Sequence, residues 1–420
     1  MGRLRISETK DLLLQDGKPF FYLADTVWAA FGNLPLHRWA PYLRFRKAQG
    51  FNAIQISILP ITHDASLTDE GLDPFLSNAE GNWDFYRLNE AYFYKAERMV
   101  KMAVEAGFVP VLGVLWKNYV PGTVASQRSP IPSAMPLDAV KAYAKYAARR
   151  FRKFDPIFFI SGDTAWGSDQ EEPYYMAALE IVRDQCPDAL ITMHLGTGRD
   201  IPGAFTEKID FYMYQSGHRP EQKTPYVLAQ KHSAETPKRP VVNSEPCYEG
   251  HGKVSTKRRF EAFDVRKAIW QSLLSGAKMG TAYGAHGVWS CHTEGMGFVQ
   301  PDRKFIPYDW EVGLRLDGAW DASYAKWIWE HYDLWDVEAA DKVIGEDEEV
   351  RLSVNAAGSK VALYTPCAYD IEIDMDLSGY QCTLIDLANR RPTVPVVEAG
   401  VTSTVRMDTF NGDALFLAAK

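Results

Sequence analysis

Along most of the chain, short unbroken apolar runs alternate with longer stretches in which apolar residues recur every three or four positions. A run too short for a helix and bounded by Pro, Gly or polar residues predicts a strand buried on both faces. The longer period predicts an amphipathic helix. Strands of this kind begin near residues 20, 53, 108, 157, 190, 211, 241 and 281. Helices at 38–49, 89–106, 137–150, 173–184 and 264–275 fall between them, with Gly50, Gly107 and Gly276 placed where three of them should stop. Eight strands alternating with helices over about 330 residues predict an α/β fold, a parallel (β/α)8 TIM barrel.

The flanks of this pattern differ from it. Near the N-terminus an Asp16-Gly17 turn between two apolar runs predicts a hairpin that plugs one end of the barrel. Past Trp335 the pattern shortens to strands at 351–354, 360–364, 370–375, 381–386, 402–407 and 414–418, separated by Gly, Asn and Asp turns. That predicts a C-terminal antiparallel β-sandwich at 341–420, following a barrel domain at 1–340. Its aromatics, Tyr364, Tyr369, Tyr380, Phe410 and Phe416, alternate like core positions, which favours a bracing role over sugar binding. Long inserts at 63–84 and 290–320 follow the second and last barrel strands. Their surroundings are rich in aromatics, Trp83, Phe85, Tyr86, Trp289, Phe298, Trp310 and Trp320, which suit either stacking on sugar rings or packing among themselves.

Composition narrows the function. A net charge of -8 without a long basic run argues against nucleic acid and against an anionic membrane surface, and favours a neutral small molecule. No apolar run approaches the roughly 18 residues of a membrane span, and the N-terminus has no signal-like core, so a cytoplasmic protein is expected. Five scattered cysteines without paired spacing predict free thiols. Oligomeric state is left open.

The chemistry should sit at the strand tips, where TIM barrels carry their sites. These tips present Asp25 and Trp28, Gln55, Trp116, Asp163 and Trp166, His194, Tyr214 and Gln215, Glu245 and Tyr248, and Tyr283, His286 and Trp289. Two acids stand out. Glu245 ends an apolar strand and is followed by Pro246, which stops the strand and biases the glutamate toward extended backbone, so that its carboxylate projects from the rim. Asp163 ends the fourth strand, and a fourth- and seventh-strand pair can flank one glycosidic bond. Glu245 is assigned as nucleophile and Asp163 as general acid/base, with Tyr214 expected to hydrogen-bond Glu245. Retention is favoured on the expectation of carboxyls about 5–5.5 Å apart, against about 6.5–9.5 Å in inverting enzymes. Asp25 is read as gripping sugar hydroxyls, with a helix cap as the alternative. His286, Cys291, His292 and Glu294 form a His/Cys/Glu cluster without zinc-site spacing, so no metal and no cofactor is expected.

Five segments carry a resemblance. Residues 16–28, 49–55, 161–166, 243–250 and 283–289 resemble the apiosidase-like glycoside hydrolases, in order and across the whole barrel, and the sandwich fits the same layout. The resemblance implies an acid pair at Asp163 and Glu245 and a sugar bound near Asp25, Trp28, Gln55, Tyr214 and His286. That family's founding activity removes apiose from branched pectin. A small plant-derived glycoside or short oligosaccharide is expected here. The alternatives are another sugar, such as an arabinofuranoside, or a non-catalytic carbohydrate-binding protein.

Overall fold

The computed structural model describes residues 2–61, 72–253, 256–298, 305–407 and 411–420. Parts of both long inserts and Phe410 lie outside the described residues. All eight expected barrel strands are present: β1 (Tyr22–Thr26), β2 (Ala53–Ser57), β3 (Val109–Trp116), β4 (Ile157–Gly162), β5 (Ile191–Thr192), β6 (Tyr212–Gln215), β7 (Val241–Glu245) and β8 (Gly280–Tyr283). They pair in parallel, with β8 returning to β1, and a parallel bridge from His194 to Met213 joins β5 to β6. The sheet is therefore a closed barrel. Every residue of these strands is buried, as expected of strands covered by helices outside and packed side chains inside.

The helices that matter for the site are α1 (Leu36–Ala48), α2 (Glu90–Glu105), α3 (Leu137–Phe151), α4 (Glu171–Gln185), α5 (Thr224–Ser233), α6 (Ala262–Leu273) and α7 (Gly318–His331). Two of these, α5 and α7, lack a clean apolar stripe in the sequence and were not expected. The Asp16-Gly17 hairpin forms with Leu13–Gln15 and Lys18–Phe20, and Leu4–Ile6 adds a third strand to it. Leu4 and Leu13 are buried in the barrel's core cluster, so this sheet closes one end.

The tail folds into a six-stranded and a four-stranded antiparallel sheet around their own core, which includes Leu352, Leu363, Ile373 and Phe416. Its first strand, Val337–Ala339, pairs with Arg351–Asn355. The sandwich is fastened to the barrel by both apolar and ionic contacts. Tyr364, Ile385, Leu415 and Leu417 join the barrel's core cluster. Arg266 of α6 reaches Asp413 at 2.7 Å and Asp321 of α7 at 2.9 Å, and Arg390 caps Asp321 at 2.8 Å. No helix among the described residues is long and apolar enough to cross a membrane.

Candidate active site

Glu245 closes β7 and is only 6% exposed. Its oxygens are held by three side chains from neighbouring tips. His194 Nε2 lies 3.1 Å from Oε2, His218 Nε2 lies 3.1 Å from Oε1, and the Gln215 amide also donates to Oε1. A register shift between Tyr214 and Gln215 sets Gln215 directly beside Glu245, the re-aiming that bulges accomplish near sites. Burial by itself would raise the Glu245 pKa. The hydrogen bonds from His194 and His218 outweigh it and hold the carboxyl well below the ordinary glutamate range. Glu245 is thus an anion in a nearly dry setting.

An aromatic floor surrounds it. Trp28 donates its indole N–H to the Tyr248 hydroxyl at 2.9 Å and packs edge-on to Trp116 at 5.3 Å, with His194 at 5.5 Å. Two glycines make this possible. A Cβ on Gly162 would sit 2.0 Å from the Trp116 ring, and one on Gly284 would sit 2.1 Å from the Tyr248 ring. Close packing of the floor requires both positions to lack side chains.

Asp163 follows β4 immediately, and the Trp116 to Gly162 register places Lys117 beside it, where the two form an ion pair. Asp163 adopts φ +54°, a left-handed conformation that non-glycine residues seldom take unless their surroundings impose it. The buried carboxylate of Glu171 does so, accepting from the Thr164 hydroxyl and, at 3.0 Å, from the Ser168 backbone N–H. The loop that carries Asp163 is therefore anchored from beneath.

The structure sets several expected residues apart from this mouth. Asp25 is fully buried on the outer side of β1, where Arg46 Nε at 2.7 Å and the Tyr42 hydroxyl at 2.6 Å, both from α1, take one oxygen. Its carboxylate is engaged by α1 behind the strand and caps no helix. Tyr214 also points outward: its hydroxyl donates to Pro225 O at 2.9 Å and its ring stacks on His232. The tyrosine facing Glu245 is Tyr248, whose hydroxyl lies within hydrogen-bonding reach of the carboxylate. Tyr283 pairs in register with Asp25 and donates to Glu249 at 2.6 Å, again outside the barrel. Gln55 is fully buried inside it, bonded to Tyr22, Thr26 and Ser244 O. Trp166 is engaged by Asp200 O and Phe205. Side-chain alternation along each strand explains most of these outcomes, because neighbouring residues at one tip face opposite sides.

Trp289 is buried, and His286 lies 4.9 Å from His251 with its Nδ1 accepting from Arg259. A cation in that position opposes metal binding at His286. Among the described residues, no group of three His, Cys, Asp or Glu side chains is arranged to hold a metal ion. The aromatics of the first insert pack on each other, Phe75 with Trp83 and Phe85, while Trp320 lies exposed on α7. Three residues of the mouth escaped the reading of strand tips: Lys117, Glu171 and His218. Lys117 was detectable as the neighbour of Trp116. His218 stands three residues past the β6 tip, where only the fold brings it back.

The comparisons with known proteins bear on the family and the fold. The family model described as "Apiosidase-like, catalytic domain" matches residues 7–336. The chain belongs to the apiosidase-like family. Its enzyme class follows, and this apiosidase-like protein is a glycosidase. A solved glycoside hydrolase shares its fold at a TM-score of 0.82 and 19% identity, covering 100% of this chain and 97% of the other. A glycoside hydrolase family 5 structure from Bacteroides vulgatus does so at 0.82 and 20%, covering 100% and 93%. At such identities the likeness speaks for the fold alone. No curated protein matches the chain.

Proposed function

We propose that this apiosidase-like enzyme hydrolyses a small plant-derived glycoside or short oligosaccharide with retention, Glu245 acting as nucleophile and Asp163 as general acid and then base. The observation that carries the reading is the state of Glu245. A carboxylate kept ionised by three donors is unsuited to give up a proton, which leaves it the attacking role. Oε1 carries two of those donors and Oε2 one, with the Tyr248 hydroxyl a further donor to the carboxylate, so Oε2 is the less heavily bonded oxygen toward the anomeric carbon. Attack expels the aglycone, whose oxygen takes the proton of Asp163; Asp163 then removes a proton from the water that releases the sugar. The pairing of Asp163 with Lys117 must open as the aglycone arrives, because an acid needs its proton at that moment. Trp28, Trp116 and Tyr248 supply the apolar platform against which a sugar ring rests. Five cysteines, three of them buried and none in a disulfide, fit a reducing cytoplasm.

The test is sugar release from apiosides, arabinofuranosides and common hexopyranosides by wild type and Glu245→Gln. Release that falls by about three or more orders of magnitude in the variant, with the first-formed anomer matching the substrate by NMR, supports the reading. An inverted first product rules out retention.

A further inference from the structure

Two imidazoles reach Glu245, and their other nitrogens are held differently. His194 Nδ1 lies 3.1 Å from Ser244 Oγ, a hydroxyl that can give or take a hydrogen bond, so the His194 Nε2–H is set by the Glu245 carboxylate alone. His218 is fixed from both sides. Its Nδ1 lies 3.2 Å from the backbone nitrogen of Tyr248, a group that can only donate. The Nδ1 lone pair is therefore occupied, the ring proton sits on Nε2, and Nε2 lies 3.1 Å from Glu245 Oε1.

The ring is also clamped. Tyr248 packs against it at 4.6 Å, His251 stacks on it at 4.5 Å and 19°, and Phe260 stands at 6.4 Å. The groups facing this assembly are Glu245, Gln215, His251, His286 and, beyond them, Arg259. Burial, with His218 close by, lowers the His251 pKa to about 3, and burial lowers that of His286 as well, so both stay neutral over the working pH range. The stack behind His218 is an uncharged support.

We propose that His218 is the positioning residue for the nucleophile. The Tyr248 backbone amide imposes the Nε2–H tautomer, and that N–H pins Glu245 Oε1 so that Oε2 is the oxygen presented to the sugar. This rests on the reading of Glu245 as nucleophile. Tyr248 therefore serves the site twice, its side chain in the floor and its backbone selecting the tautomer of His218.

The experiment compares wild type, His218→Gln, His218→Ala and Glu245→Gln on whichever glycoside wild type releases, with kcat and KM measured across pH. Glutamine can place an amide N–H near the position of Nε2; alanine cannot. His218→Ala is expected to lose about ten- to a hundredfold in kcat/KM, mostly in kcat, the usual effect of removing one hydrogen bond to a charged group. Its acid limb should rise by about one pH unit, because a carboxylate with one donor fewer is protonated more readily. His218→Gln should recover most of the rate and return the limb. An unmoved acid limb in His218→Ala, or a folded His218→Gln no better than alanine, overturns the proposal. Long-range 1H–15N spectra of histidine-labelled wild type decide the tautomer without substrate and without any variant having to fold. An Nδ1–H signal for His218 refutes it. Full activity in Glu245→Gln would instead sink the nucleophile reading, whatever the tautomer proves to be.

Discussion

Glu249 lies four residues past Glu245 and is 6% exposed, with one oxygen accepting both the Tyr283 hydroxyl at 2.6 Å and the Gly318 backbone N–H at 2.9 Å. Burial raises its pKa from 4.5 to about 7, against those two hydrogen bonds and with help from Asp321 and Asp317. The folded state thus binds this proton more tightly than the unfolded chain. The resulting stabilisation is fully present below about pH 4.5 and is lost as pH climbs through about 7. A rise of about 2.5 units at about 1.36 kcal/mol each amounts to about 3 kcal/mol, a sizeable share of a domain's stability. Glu249→Gln keeps an acceptor for both donors and removes the ionisation. In urea titrations between pH 4.5 and 8.5, wild type should lose about 3 kcal/mol relative to the variant, with the steepest change between pH 5 and 7. A difference between the two proteins that stays flat over this range would show that Glu249 ionises in the fold without cost, and the argument from burial would fail.

Other outcomes follow from the same structure. Asp163→Asn should abolish turnover of alkyl glycosides while sparing the first step on aryl glycosides with good leaving groups, and added azide should restore turnover of the latter; equal losses on both substrate types would count against an acid/base role. Asp25→Asn leaves the fully buried Arg46 without its ion partner and should cost about 3–5 kcal/mol by thermal melting, while kcat of the folded protein stays near wild type. A collapse of kcat with stability intact would return Asp25 to the sugar site. Arg266→Ala strips Asp413 of its partner at the junction of barrel and sandwich and should also cost about 3–5 kcal/mol, and a loss under about 1 kcal/mol would mean the ionic clamp is dispensable.

The barrel was legible because buried parallel strands write themselves as apolar runs, and all eight strands stand within a few residues of their expected positions. Helices α5 and α7 were not: like α1 they lack one clean apolar stripe, and unlike α1, which stops at Gly50, neither ends at a glycine. Within the site, legibility stopped at the pleat. A strand tip can be located from sequence, but whether Tyr214 or Gln215 faces inward depends on a register shift, and the sequence carries no mark of it. The same one-residue question separated Asp25 from the mouth. Partners supplied by loops, such as His218, depend on how a turn folds back, and no spacing rule encodes that.

The left-handed backbone at Asp163 also limits how this enzyme can be altered. Glycine, asparagine and aspartate tolerate such a conformation, whereas glutamate and other longer side chains meet a steric penalty of about 1–2 kcal/mol before their own packing is considered. Lengthening the acid by one methylene is the simplest chemical edit a designer would try for altering carboxyl spacing. Here the main chain sets about 1–2 kcal/mol against it, a cost the same loop already bears at Trp166, so new contacts around the Glu171 anchor would have to offset it before the carboxyl spacing could be changed.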